Sequence, residues 1–224
     1  MSGTKQIRGL NAENVWDYEN GFYWFSDKTR INKLLAHYEL YKTITNLPGH
    51  IFELGVYKSA SIVRFATFRD CLENDFSRKI VGFDAFGEFP KDGIKDEGDL
   101  DFISEFEMQG GEGLSQEEVN GILTYKGFQN IQMIKGNVFD TLPKYLLENP
   151  ETRLALVHFD MDVKEPTDFA IEMLYERVVP GGLLVFDDYN AVAGETASVD
   201  ALVAKFKLKL EKLPFYNIPA YIIK

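Results

Sequence analysis

Five short apolar runs, each followed by a turn and a helical pattern, constrain this chain more than any other feature. They are HIFELG (50–55), KIVGFD (79–84), NIQMIKG (130–136), LALVHFD (154–160) and GLLVFDD (182–188). Runs of this length without polar alternation read as strands buried on both faces, as in parallel sheets. Helical spacing fills the gaps over roughly 58–74, 115–127, 138–148 and 166–178, and a further helix is predicted near 197–212. Strict alternation implies right-handed crossovers, so the predicted fold is α/β, a doubly wound and mostly parallel sheet of the Rossmann-like kind. The tail FYNIPAYIIK adds two short β-like pieces around Pro219, read as a hairpin at the sheet edge. Ahead of the first strand lie an aromatic arm, WDYENGFYWF (16–25), and a helix from about Arg30 to Thr45. Core packing or a dimer contact is the expected role of the arm, and a wall of the substrate pocket the lesser one.

A chain of 224 residues suffices for one sizeable core, so 1–224 reads as a single domain with an N-terminal arm and helix over 1–48. The single cysteine, Cys71, leaves no disulfide framework or cysteine metal site and suits a cytoplasmic setting. The apolar runs fall short of a membrane span, and residues 1–30 lack a leader's apolar stretch. Net charge is −11, and the stretch from Glu88 to Glu118, with eleven acids against two lysines, supplies −9 of it. Nucleic acid and anionic membrane are therefore poor partners. This glycine-rich segment over 88–118 also carries several apolar residues, and it is expected to be a mobile acidic lid over a neutral or amine-bearing substrate.

In doubly wound sheets, ligands bind beyond the carboxyl ends of the strands. The first strand runs into FELGVYKSAS, with Glu53 near its end, Gly55 opening the turn, and Ser59 and Ser61 at the helix start. The second ends in Asp84, an acid placed to hydrogen-bond ribose hydroxyls or simply to cap a loop. The third ends in GNVFDTLP, where Gly136, Asn137 and Val138 can face an adenine ring, or Asp140 and Thr141 merely cap a helix. The fourth ends in Asp160 and Asp162, the fifth in Asp187 and Asp188. If those strands are neighbours, about 4.8 Å apart, three carboxylates converge and repel unless a cation joins them. Hard oxygen ligands suit Mg²⁺, and Ca²⁺ or Mn²⁺ less specifically.

Taken together, FELGVYKSAS, GFDAFGEFP, GNVFDTLP, HFDMDVKEPT and PGGLLVFDDYN resemble the macrocin O-methyltransferase family of class I S-adenosylmethionine-dependent methyltransferases. The likeness covers roughly residues 30 to 205. It implies S-adenosylmethionine and Mg²⁺ as cofactors, and as acceptor a small-molecule hydroxyl on a sugar or glycoside. It implies Asp160, Asp187 and Asp188 as metal ligands, Asp160 also bordering the cofactor. Asp84, with Phe86 beside it, would hold the ribose. Glu53, Gly55, Tyr57, Ser59 and Ser61 would surround the methionine end, and Gly136, Asn137 and Val138 the adenine. Asp162 is the implied general base. Lys164, where the family usually has tyrosine, is a second candidate for that role or for a substrate contact. Thr196 and Ala197 stand where the family has basic residues, which weakens any reading of an anionic acceptor. A homodimer or higher homo-oligomer is compatible with the arm. Two other readings compete. One is a phosphohydrolase of the haloacid dehalogenase type, whose strand-end acids HFDMDV resembles; the other is a fold that binds the cofactor without turnover.

Overall fold

In the computed structural model, which describes residues 6–224, the two-residue strands β1 (Gln6–Ile7) and β2 (Leu10–Asn11) form a small antiparallel ribbon. The helices α1 (Val15–Phe25) and α2 (Lys28–Ile44) follow. The alternating part then runs β3 (His50–Leu54), α3 (Ala60–Leu72), β4 (Ile80–Asp84), α4 (Glu97–Gly110), α5 (Gln116–Lys126) and β5 (Ile131–Lys135). It continues with α6 (Val138–Glu148), β6 (Leu154–Phe159), α7 (Lys164–Leu174), β7 (Val178–Phe186), α8 (Ala193–Phe206), β8 (Glu211–Lys212) and β9 (Ala220–Ile223).

The strands form one seven-stranded sheet in the order β5-β4-β3-β6-β7-β9-β8. The first five are parallel, and β9 adds antiparallel to β7 and to β8. Alternation along each strand splits the core in two. Phe52, Val157 and Phe186 pack under α6 and α7 on one face, while Ile51, Leu156 and Val185 pack under α2 and α3 on the other. Among the described residues, no helix is long and apolar enough to cross a membrane.

Three parts of the chain differ from the sequence reading. The last helix stops at Phe206, because Lys207 takes a left-handed φ of 54°. The terminal hairpin is therefore made by β9 with β8, and β8 lies within the span read as helix. The aromatic arm is a helix that buries none of its residues, with Trp16 72% and Trp24 69% exposed, so it is not core packing. The acidic segment, in which the sequence predicts no helix before residue 115, contains α4. Asp96 caps α4 by accepting from the Gly98 and Asp99 amides, and Ile103 is fully buried.

Candidate active site

The order of strands reverses between β3 and β6, so the connections after them diverge and open a crevice at their carboxyl ends. Gly55 closes β3 with φ +91°, and a Cβ there would lie 1.8 Å from the Asp160 carbonyl oxygen. The turn after β3 and the end of β6 thus meet backbone to backbone. Asp84, at the end of β4, organises the same turn: its Oδ2 accepts from the Val56 and Tyr57 amides at 2.7 and 2.9 Å, and its Oδ1 from Phe86 at 2.6 Å. Tyr57, Ser59, Phe86 and Asp162 all hold left-handed backbone, the kind of strain that gathers at ligand sites.

A cavity of about 600 Å³ opens at this switch point. Of the residues singled out from the sequence, Gly55, Tyr57, Ser61, Asp84, Gly136, Asn137 and Val138 line one side. Asp160, Asp162, Asp187 and Asp188 line the other. Glu53, Ser59, Phe86 and Lys164 do not line it. Ser59 and Phe86 are buried as parts of the turns. Lys164 opens α7, where its amide donates to Asp99 Oδ2 at 2.7 Å and its ammonium pairs with Asp168. The Asp168 hydrogen bond raises the lysine's pKa, the wrong direction for a general base.

Glu53 is fully buried beneath α3, with the Ser61 hydroxyl donating to its Oε1. Burial pushes this carboxyl up to about 8, from an ordinary 4.5. The folded protein therefore holds the proton more tightly than the unfolded chain does. The contribution to stability is fully present below pH 4.5 and is lost as pH rises through about 8. Glu53→Gln is expected to gain stability relative to the parent across that window. Urea unfolding at several pH values checks this, and a constant difference between the two proteins would count against it.

One oxygen from each of Asp160, Asp187 and Asp188 lies within 4.8 Å of the others. Asp187 is 1% exposed. Its Oδ2 pairs with the Lys33 ammonium, while Oδ1 faces His158 Nε2 at 3.4 Å and His37 Nε2 at 3.6 Å. Burial alone would raise Asp187, but His158, His37 and Lys33 outweigh it and hold the carboxylate well below its ordinary value. Asp160 and Asp162 move the other way, pushed up by burial and then by Asp187 and Asp188 respectively. Burial holds His37 down to about 4, so its ring is neutral at pH 7.

Several of these residues were not legible in the sequence. Lys33 and His37 stand one helical turn apart on α2, a spacing that reads as an ordinary amphipathic face. Glu195 is fully buried between the two acid turns; its amide donates to Asp162 O at 3.0 Å and its Oε1 accepts from the Asp188 amide at 2.8 Å. Arg30, Lys58 and Arg64 give the cavity a cationic wall. The acidic segment forms another wall through Phe89, Phe106 and Glu107. It is tied down where Tyr57 Oη and Lys58 Nζ donate to Gly110 O at 2.5 and 2.7 Å.

Comparison with known proteins gives this site its context. The profile of the macrocin-O-methyltransferase (TylF) family matches residues 20–213. An 8-demethyl-8-(2,3-dimethoxy-α-L-rhamnosyl)-tetracenomycin-C 4'-O-methyltransferase of Streptomyces olivaceus is 30% identical over 146 residues, 64% of this chain and 54% of that one. The match thus spans about half of that relative's length. Among solved structures, the calicheamicin methyltransferase CalS11 superposes with a TM-score of 0.70 at 26% identity, over 93% of this chain and 85% of that one. A second, apo structure describes CalS11 as a TDP-rhamnose 3'-O-methyltransferase; it superposes with a TM-score of 0.67 at 28% identity, over 93% of this chain and 86% of that one. The O-methyltransferase NovP shares the fold, with a TM-score of 0.74 at 22% identity over 87% of this chain and 80% of that one. With a family profile matched over most of its length, the chain belongs to the macrocin O-methyltransferase family.

Proposed function

We propose that this protein is an S-adenosylmethionine-dependent, divalent-metal-dependent O-methyltransferase acting on a sugar hydroxyl of a glycoside or activated sugar. The observation that carries the reading is the two-sided cavity at the switch point. One side has the glycine turn and Asp84, and the other has three converging carboxylates. Its volume of about 600 Å³ falls within the range for ligand sites. The activities of the Streptomyces olivaceus relative and of CalS11, both on rhamnose, support a sugar acceptor.

The all-oxygen donor set Asp160, Asp187 and Asp188 fits a hard divalent ion, Mg²⁺ before Ca²⁺ or Mn²⁺. Such an ion, when bound, lowers the pKa of a coordinated hydroxyl. S-adenosylmethionine supplies the electrophilic methyl group. On this reading Asp84 faces the ribose with whatever acceptor capacity its three amide bonds leave, and Asn137 and Val138 border the base. Asp162, turned toward the cavity by its left-handed backbone, takes the proton of the acceptor hydroxyl. Aligning acceptor and methyl donor across the cavity is the larger part of the work. The α4 wall closes the space over them, as a lid that orders further on ligand binding. The exposed aromatic face of α1 supports self-association, and the lone cysteine a cytoplasmic setting.

The direct test is transfer of a tritiated methyl group to a series of glycosides and nucleotide-sugars, with and without EDTA. Incorporation into a sugar hydroxyl that disappears with chelator is expected, whereas calorimetry should show S-adenosylmethionine binding to the chelated protein. Undiminished transfer in EDTA would remove the metal from the reading. Asp84→Ala should weaken cofactor binding by about 1.5–3 kcal/mol, the typical loss for a hydrogen bond to a charged group, and leave ion affinity unchanged. Unaltered cofactor affinity would confine Asp84 to holding the turn.

A further inference from the structure

The ammonium of Lys33 has no part in the chemistry above, yet it sits on the most buried of the three converging carboxylates. It arrives from α2, outside the alternating strands that supply every carboxylate. Its side chain is 19% exposed and pairs with Asp187 Oδ2. The other oxygen, Oδ1, is turned to His37 and His158. Both oxygens of Asp187 are therefore engaged by the protein itself. An ion shared by Asp160, Asp187 and Asp188 needs an oxygen from Asp187. The one not turned toward the imidazoles carries Lys33. An ammonium and a divalent cation on the same carboxylate oxygen repel strongly in a site this dry.

We propose that Lys33 is a built-in counter-cation that holds Asp187 in the ion-free protein and yields it to the incoming divalent ion. Metal binding then swings the Lys33 side chain off Asp187 within the cavity it lines, while Ala36 and Leu34 keep α2 packed on the core and His37 keeps its place beside Oδ1. This inference rests on the metal reading above and adds a residue that opposes the ion, where a ligand would assist it.

The two possibilities separate in a calorimetric titration of Mn²⁺ into chelator-stripped parent, Lys33→Met and Lys33→Arg proteins. Removal of the competing charge is expected to tighten Mn²⁺ binding at least tenfold in Lys33→Met, whereas Lys33→Arg, which keeps a cation in place, should stay near the parent. Thermal melting covers the case of a weakened fold: Lys33→Met should melt lower than the parent without ion, and Mn²⁺ should raise its melting temperature by more. Parent binding as tight as Lys33→Met, or tighter, would overturn the inference and leave the metal reading intact. Absence of Mn²⁺ binding in all three proteins would instead bring down the metal reading itself, and this inference with it.

Discussion

Asp187→Ala is expected to abolish methyl transfer and, measured without metal, to destabilise the fold by about 3–5 kcal/mol, the usual cost of removing one member of a buried ion pair. The reason lies in what the carboxylate holds. Lys33 would lose its ion-pair partner and keep only the attraction of Asp160 and Asp188, and His158 would lose its hydrogen bond. Asp188 makes the informative comparison. It is half-buried, with Glu195 bonded to its amide and not to its carboxylate. Asp188→Ala should therefore end transfer while costing the fold only about 1 kcal/mol. Urea unfolding of both variants in EDTA, alongside the transfer assay, makes the measurement. Equal losses of stability would mean that Asp187 is a ligand without a structural role.

Gly55→Ala should be the most damaging single methyl group in the chain. Its φ of +91° is unfavourable for any L side chain, and the added carbon meets the Asp160 carbonyl at 1.8 Å. Both contacting groups are backbone, so no rotamer change relieves them. A loss of more than about 3 kcal/mol is expected, placing the variant among the exceptional cases. Any protein that still folds should have lost measurable cofactor binding, since the turn after β3 must move. Gly87→Ala is the control, because a Cβ there meets nothing within 4 Å. It should fall within about 0.5 kcal/mol of the parent. Thermal unfolding and cofactor calorimetry on the pair settle the point, and a Gly55→Ala protein of parental stability would refute it.

The parallel strands were legible because buried strands leave uninterrupted apolar runs, and the bounds of α6 were legible too, although its cap is Asn137 and not Asp140 or Thr141. The acids at the ends of β6 and β7 could be brought together from sequence by one assumption, that the two strands are neighbours, and they are. Other parts of the site needed tertiary structure. A lysine in an amphipathic helix is by default a surface residue, so nothing marked Lys33 as the partner of Asp187. Lys164 misled for the opposite reason. It follows the acids directly in the chain, but the first turn of α7 carries its ammonium away to Asp168. The segment around α4 gave no helical signal because its glycines and like charges both disfavour helix. Burial of Ile103 and the Asp96 cap override that preference. Asp84 was placed correctly at a strand end, yet its three amide bonds were invisible until the turn closed around it.

The pairing of β3 has a consequence for how the molecule comes to exist. Ile51 lies beside Ile80 on one edge and beside Leu156 on the other, so one neighbour is close in the chain and the other distant. Local pairings close early and distant ones pay more loop entropy, so β3, β4 and β5 can assemble before β6 is in place. Until then β3, an interior strand of the finished sheet, is an open edge, with Phe52 and Leu54 beside unpaired backbone, the kind of edge that invites pairing between chains. During synthesis the half bearing Gly55 and Asp84 waits, unfinished and adhesive, for the half that brings the acids. The ribosome's pace between β5 and β7 is then a determinant of yield.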